Sequence, residues 1–289
     1  MSKNKSFTII ELLITIVIIG ILAGIIIVST TSSITKANFA KAKAFSSNIQ
    51  NSMLLNLVSE WTFDEPEEPG RITKDSWGSN HGTVSGATYK DKDSGECVFG
   101  GCYSFDGDDD YIDCGKNSIF NFKTSNFLFS TWFKTNNSTK RQYLMGFGGI
   151  SSPNLQFDMN DEGYGLWVYW NGGGSPRART TINYGDNKWH FMVFMRNFNT
   201  FSLIIDNTKI TENYTSSIDL SELNFILGRG GSSGEYFNGL IDDTRIYNEA
   251  MSNSKIKQNY IIGMSSLLEK GLLSKQEYDQ RIESLAQKY

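Results

Sequence analysis

The sequence predicts a mainly β protein in three parts: a long N-terminal α-helix, an antiparallel β-sandwich, and a short C-terminal helical hairpin. Three observations predict it. No charged residue occurs from Leu12 to Thr35. Past Ser59, short aromatic stretches alternate with Gly, Asn and Asp, and nothing has the length and period of a crossover helix. From Ser252 onward the pattern is helical again.

The N-terminal run is long enough to cross a bilayer, because about 20 residues at 1.5 Å rise span a hydrocarbon core of about 30 Å. It exceeds the apolar stretch of about 7–15 residues found in a cleaved secretory signal. Glu11 interrupts its start, where an unpaired carboxylate in lipid costs about 2.5–3.5 kcal/mol, so that carboxylate reads as functional. Gly20 and Gly24 form a small-residue helix-contact pattern. No Pro or Gly follows from Ile25 to Glu65, and Ala37, Ala40, Ala44, Asn48, Met53 and Leu57 carry the helical period onward. A helix from Phe7 to about Val58 would be roughly 75 Å long, part membrane span and part stalk.

The junction Lys5-Ser6-Phe7-Thr8-Ile9-Ile10-Glu11-Leu12-Leu13 resembles the leader junction of type IV pilins and pseudopilins. That resemblance implies cleavage between Ser6 and Phe7 by a prepilin peptidase and methylation of the new Phe7 amine. It assigns Glu11 to subunit assembly, facing the Phe7 amine of a neighbouring pilin subunit. Ser6 departs from the Gly that usually precedes the cut. The implied protein is single-pass in the cytoplasmic membrane, with its head outside and at the cell surface or pilus after assembly.

The sandwich is read from Phe127–Phe133, Leu166–Trp170, Trp189–Met195, Phe201–Ile205 and Leu223–Leu227, which are aromatic, β-branched and strand-length. Trp61-Thr-Phe-Asp-Glu65, Asp75-Ser-Trp-Gly-Ser-Asn-His-Gly-Thr83, Tyr103-Ser-Phe-Asp-Gly107, Trp189-His190, and Leu227-Gly-Arg-Gly followed by Phe237 to Tyr247 occur in order along the chain. The ordered set is similar to a laminin-G-like (concanavalin A-like) jelly roll. The expected parts are a leader 1–6, a transmembrane and stalk helix 7–58, a jelly-roll head 59–251, and a helical hairpin 252–289.

The resemblance implies a structural calcium and a head that binds a glycan or surface protein. Calcium wants six to eight oxygen ligands, and clustered carboxylates repel one another without a cation. Asp75, Asp106, Asp108, Asp110 and Asp242 are the candidate ligands, with Asp109 inside the same acidic turn. Asp242 alternates with Thr244 and Ile246 and is expected to point inward. Trp167, Tyr169, Trp170, Arg177 and Arg179 supply rings and guanidinium forks suited to a ligand rim.

Catalysis has no support in the sequence. Retaining glucanase chemistry needs two carboxyls about 5–5.5 Å apart, and no Glu-x-Asp-x-Glu triplet is present. Asp64-Glu-Pro-Glu-Glu68 reads as a solvated loop, and His81 and His190 read as structural. The mild net charge of -4 offers no footprint for nucleic acid. It hides an asymmetry: residues 1–53 carry a net +4 and the remainder a net -8.

Cys97 and Cys102 flank Val-Phe-Gly-Gly and are expected to pair outside the cytoplasm, the alternative being two reduced core thiols; Cys114 reads as a buried apolar group. In the tail, Gly271 ends one helix and Ser274 caps the next, with Glu277 at the capping-box position. Two readings of that hairpin stand side by side: an oligomer contact, or a tail packed on its own sandwich. Two alternatives to an adhesive pilin also stand: a minor pseudopilin priming a secretion or DNA-uptake machine, and a stand-alone membrane-anchored lectin-like protein.

Overall fold

The structure, a computed structural model, describes residues 54–148, 155–159, 165–170, 178–215, 217–230 and 235–287. All of them lie in the second of two compact units, Ile49–Tyr289. Ser6, Phe7, Glu11 and the apolar run fall outside the described residues. Among the described residues no helix is long and apolar enough to cross a membrane.

Two eight-stranded antiparallel sheets form the head. The first, sheet A, contains β1 (Leu57–Trp61), β4 (Thr88–Lys90), β5 (Cys102–Asp106), β7 (Phe127–Lys134), β12 (Trp189–Asn197), β13 (Thr200–Ile205), β14 (Thr208–Asn213) and β16 (Asn238–Tyr247). Its order is β14-β13-β12-β7-β16-β5-β4, with β1 also paired to β16. Sheet B contains β2 (Ile72–Thr73), β3 (Gly82–Ser85), β6 (Tyr111–Asp113), β8 (Gln142–Phe147), β9 (Leu155–Met159), β10 (Leu166–Trp170), β11 (Ala178–Arg179) and β15 (Phe225–Leu227), in the order β11-β10-β9-β8-β15-β6-β3-β2. Leu57 and Val58, expected at the end of the stalk helix, instead open β1 and are buried. Their apolar side chains suit either element, and the pairing of Leu57 with Tyr247 and of Ser59 with Ile246 decides for the strand.

The inner faces meet in an aromatic core. Phe147 and Phe225 lie 4.9 Å apart between ring centroids, and Trp170 stacks on Phe201 at 4.7 Å. A second apolar cluster lies on the outer face of sheet A, under two helices, α1 (Asn253–Glu269) and α2 (Lys275–Gln287). Strand β7 serves both: Phe129 and Phe133 point between the sheets, while Leu128 and Trp132 point to the helices. A strand buried on both faces reads as a continuous apolar run rather than an alternation, which is how Phe127–Phe133 reads.

The hairpin therefore packs on its own sandwich. Trp132 stacks on Tyr260 with centroids 5.8 Å apart and planes 14° apart. A Cβ on Gly263 would sit 2.0 Å from the Trp132 ring, so only glycine lets α1 come this close. The start and stop signals are used as expected. Ser252 accepts from the Lys255 amide at α1, Gly271 takes a left-handed φ of 72°, and Ser274 accepts from the Glu277 amide at α2.

The Cys97–Cys102 disulfide is present, with Cα atoms 5.5 Å apart, and Cys114 is buried. The loop it closes is gripped by α1: Ser266 donates to the Val98 carbonyl, and Lys270 donates to the carbonyls of Cys97 and Phe99.

Candidate functional site

The outer face of sheet B is built by strand alternation. On β10, Leu166, Val168 and Trp170 enter the intersheet core, so Trp167 and Tyr169 take the opposite face. Trp170, expected on the rim, is thus a core residue beside Phe194 and Phe201. Trp167 pairs across the ladder with Arg179 on β11 and with Asp158 on β9, and Asp158 pairs in turn with Tyr143 on β8. The Arg179 guanidinium lies 5.9 Å from the Trp167 ring. Arg177 falls outside the described residues.

The carboxylate of Asp158 is fully buried on this face and takes a 2.5 Å ion pair from Arg141, which also donates to the Tyr143 hydroxyl at 2.9 Å. A buried carboxylate without such a partner would be costly. Asp158 and Arg141 are the residues that sequence reasoning missed here. Their signal was weak: two polar residues, Gln156 and Asp158, alternating with the apolar residues of a five-residue strand.

The five acidic candidates are not gathered at one point. Asp106 and Asp110 come together with Asp109 in the turn between β5 and β6, where one oxygen from each lies within 4.8 Å of the others. Asp110 is buried and accepts the Asp106 amide at 2.9 Å, and Asp106 accepts the amide of Asp108 at 2.8 Å. Burial raises the Asp110 carboxyl above its usual range against the pull of that amide, and the charges of Asp106 and Asp109 add to the rise. Three carboxylates crowded in this way fit a hard cation such as calcium.

Asp75 is spent elsewhere. Its carboxylate accepts four backbone amides, those of Glu60 (2.9 Å), Trp77 (3.1 Å), Gly78 (2.8 Å) and Asn80 (3.1 Å), and so folds the loop after β2. The Asp75 amide donates to His81 Nδ1, giving His81 a structural place.

Asp242 is buried, but not between the sheets. It pairs with the outward Trp132, and the register of β16 against β7 shifts between Asp242 and Arg245. Its carboxylate therefore sits under the disulfide loop and accepts the Phe99 amide at 2.9 Å. Burial pushes this carboxyl well above the usual range, and the adjacent Asp243 adds to it. Asp106 faces Asn238 across the ladder, so Asp242 lies four residues further along, roughly 13 Å from the acidic turn.

His190 opens a different corner. Its ring is buried between two carboxylates, with Nδ1 2.7 Å from Asp206 and Nε2 2.9 Å from Asp186. Burial pulls the imidazole down, but Asp206 and Asp186 override it and raise the pKa to about 9. The neighbouring cleft of about 290 Å³ is lined by Tyr184, Asp186, Asp206, Glu277 and Arg281, among others. Both ring nitrogens are engaged, so the imidazolium acts as a pin between β12, the preceding loop and the β13–β14 turn.

With the geometry in place, the chain can be compared with known proteins. Residues 106–257, more than half of the chain, match a laminin-G family described as the concanavalin A-like lectin/glucanases superfamily. The chain belongs to that superfamily. Residues 1–27 match the prokaryotic N-terminal methylation motif, so the fusion seen in the sequence holds at both ends. No curated protein matches the chain.

Solved structures place the concanavalin A-like head in the same fold. Domain 4 of AbnA, an extracellular arabinanase from Geobacillus stearothermophilus in complex with arabinotriose, has a TM-score of 0.54 at 16% identity, covering 70% of this chain and 97% of that one. Trypanosoma rangeli sialidase in complex with sialic acid has a TM-score of 0.55 at 14% identity, covering 71% of this chain and 33% of the sialidase. The binding domain of Paraclostridial Mosquitocidal Protein 1 has a TM-score of 0.54 at 16% identity, covering 73% and 53%. This chain spans about a third of the sialidase. At these identities the likeness is one of fold.

Proposed function

We propose that this protein is a type IV pilin-like surface protein whose concanavalin A-like head binds a glycan. The observation that carries the reading is the joining of an N-terminal methylation motif to a sandwich with one outer face closed by its own helices. Sheet B, on which no described helix packs, is the face proposed for a ligand. Tyr169 and Arg179 supply a ring and a guanidinium there, with Trp167 beneath, a composition suited to sugars. The arabinotriose in the related arabinanase domain supports a saccharide as the ligand class.

At the N-terminus, prepilin peptidase cuts between Ser6 and Phe7. Glu11 then pairs with the Phe7 amine of a neighbouring subunit as pilin subunits assemble from the membrane into a filament. The head works by binding and adhesion rather than hydrolysis: the Asp158 carboxylate is held by Arg141, and His190 has no nitrogen left to accept a proton. Asp106, Asp109 and Asp110 would hold a calcium ion, which would neutralise their mutual repulsion and stiffen the turn beside sheet B.

Mass spectrometry of the chain from its native cell tests the first half of the proposal. A methylated Phe7 at the mature N-terminus is expected, and an intact Met1 would overturn it in favour of an unprocessed anchored protein. For calcium, a thermal midpoint that rises on adding the ion and falls with a chelator is expected. An Asp110→Asn variant showing the same response would remove this site from the account.

A further inference from the structure

Among the described residues five large apolar side chains are exposed, and four of them belong to one end of the sandwich. Leu55 (88% exposed) precedes β1, and Phe198 (76%) lies in the turn between β12 and β13. Trp77 (45%) lies between β2 and β3, and Ile119 (49%) between β6 and β7. The register sets their common end. The start of β1 pairs with the end of β16, which pairs with the start of β7, which pairs with the end of β12. In sheet B the end of β2 meets the start of β3, which meets the end of β6. The fifth side chain, Ile182, shortly precedes β12 and so belongs to the opposite end. Single exposed apolar groups are ordinary, whereas a gathering at one end calls for a partner.

Hydrogen bonds hold these loops to one another. The Asn117 side chain donates to that of Asn80 at 2.8 Å, tying the loop of Ile119 to that of Trp77. The Asn248 amide donates to the Asn56 carbonyl, the Asn126 side chain donates to Glu249, and the Phe198 amide donates to Asn126 at 2.8 Å. Phe198 is held there with a φ of 55°, in the left-handed region that a bulky side chain rarely adopts. Fixed loops thus present the apolar tips. The charged side chains on the loops of Trp77 and Ile119 are Lys74, Asp75, Lys116 and Lys123. Asp75 is buried, and Lys74 and Lys116 sit in exposed pairs with Glu68 and Glu222, which contribute little. Apolar contact, rather than charge, therefore decides the partner.

The chain enters the head at this same end, at Leu55, 19 residues after the uncharged run closes at Thr35. Even fully extended, such a stretch reaches no more than about 70 Å, so the head works close to a bilayer. We propose that this end of the head rests on the lipid surface of the membrane that anchors the chain, with Leu55, Trp77, Ile119 and Phe198 dipping into the headgroup boundary. The proposal rests on the reading of residues 12–35 as a membrane anchor and adds a second membrane contact, made by the folded head. Lipid is favoured over a second copy of the chain by the form of the surface. Tips on separate loops would need a matching pit for each on a protein, whereas a fluid surface accepts any spacing. The Trp77 indole, apolar with a single N–H donor, suits the boundary between headgroups and acyl chains.

Trp77 is the one exposed tryptophan among six, so quenching reads it selectively. The full-length chain is reconstituted, dilute, into vesicles of phosphatidylethanolamine and phosphatidylglycerol, with and without lipid brominated near the headgroup end of its acyl chains. Brominated lipid is expected to remove up to one tryptophan's share of the emission, and Trp77→Phe should abolish that loss. Ile119→Asp and Phe198→Asp should each cut the quenching about twofold or more, because a carboxylate resists entry into lipid. Ile182→Asp, at the other end, should leave it unchanged. All three positions are exposed, so the fold tolerates the changes. A chain that fails to float with the vesicles removes the membrane-anchor reading itself, and the proposal with it. A chain that floats with Trp77 open to acrylamide and untouched by brominated lipid keeps its anchor and overturns the lipid contact. Trp77 shielded from acrylamide yet untouched by brominated lipid assigns this end to a second copy and also overturns it. Quenching that persists in Trp77→Phe, or in both aspartate variants, overturns these loops as the contact face.

Discussion

The two outer faces of the sandwich carry different chemistry on the same strand geometry. Sheet A turns Leu128, Trp132, Phe191 and Val193 outward, and α1 and α2 cover them. Sheet B turns Tyr143, Gln156, Asp158, Trp167 and Tyr169 outward, and among the described residues no helix packs on it. An apolar face must be buried to repay the entropy of ordering it, whereas the outward side chains of sheet B are polar and aromatic, and Tyr143, Gln156, Asp158 and Trp167 are buried there by hydrogen bonding and ion pairing rather than under a described helix. The C-terminal hairpin is thus part of the head's stability, while sheet B is the face proposed for recognition.

The largest expected effect lies on the covered face. Trp132→Ala should cost about 4 kcal/mol, because it empties the contact with Tyr260 and Phe191. Chemical denaturation checks this, and a loss under 1 kcal/mol would break the division of labour between the faces.

His190 sharpens the comparison at the edge where α2 meets the sandwich. Its folded pKa of about 9 exceeds the unfolded value of about 6.5, so its contribution is complete below pH 6.5 and is lost as pH rises through 9. The amount is roughly 3 kcal/mol. Stability measured against pH should decline over that window, and His190→Gln should flatten the decline.

Asp75→Ala should cost about 2 kcal/mol by stranding amides in the loop after β2, without altering any response to calcium. Thermal melts with and without the ion separate Asp75 from the acidic turn. The smallest effect is expected on sheet B, where Arg179→Gln should change stability by no more than about 0.5 kcal/mol. A large loss there would make the second face structural too.

Much of this was written in the local pattern. Leu166–Trp170 is the strand β10 residue for residue, and Phe127–Phe133 falls within β7, because aromatic and β-branched runs bounded by turn residues leave little choice. The caps at Ser252 and Ser274 were also legible. Period two already separated Trp170 from Trp167, and treating both as rim residues overlooked it. The orientation of Asp242 was not legible, since nothing in Asp242-Asp-Thr-Arg245 signals a register shift set by pairing with β7. Nor was the pin at His190, whose partner Asp206 arrives through a hairpin turn. Whether the tail would cover its own sheet depended on Gly263 meeting Trp132, a contact between residues far apart in sequence.

Strand β16 pairs with β1, β5 and β7 at once, and its Arg245 binds Glu60, 185 residues earlier. Contacts of such long range make for slow folding, since the loop must close before the pairing rewards it. Strands β1, β5 and β7 cannot complete their sheet until residues 238–247 have been synthesised. On a ribosome the N-terminal segment is therefore finished long before the head can close. The nascent head has to be kept from pairing with other chains until its last strand arrives.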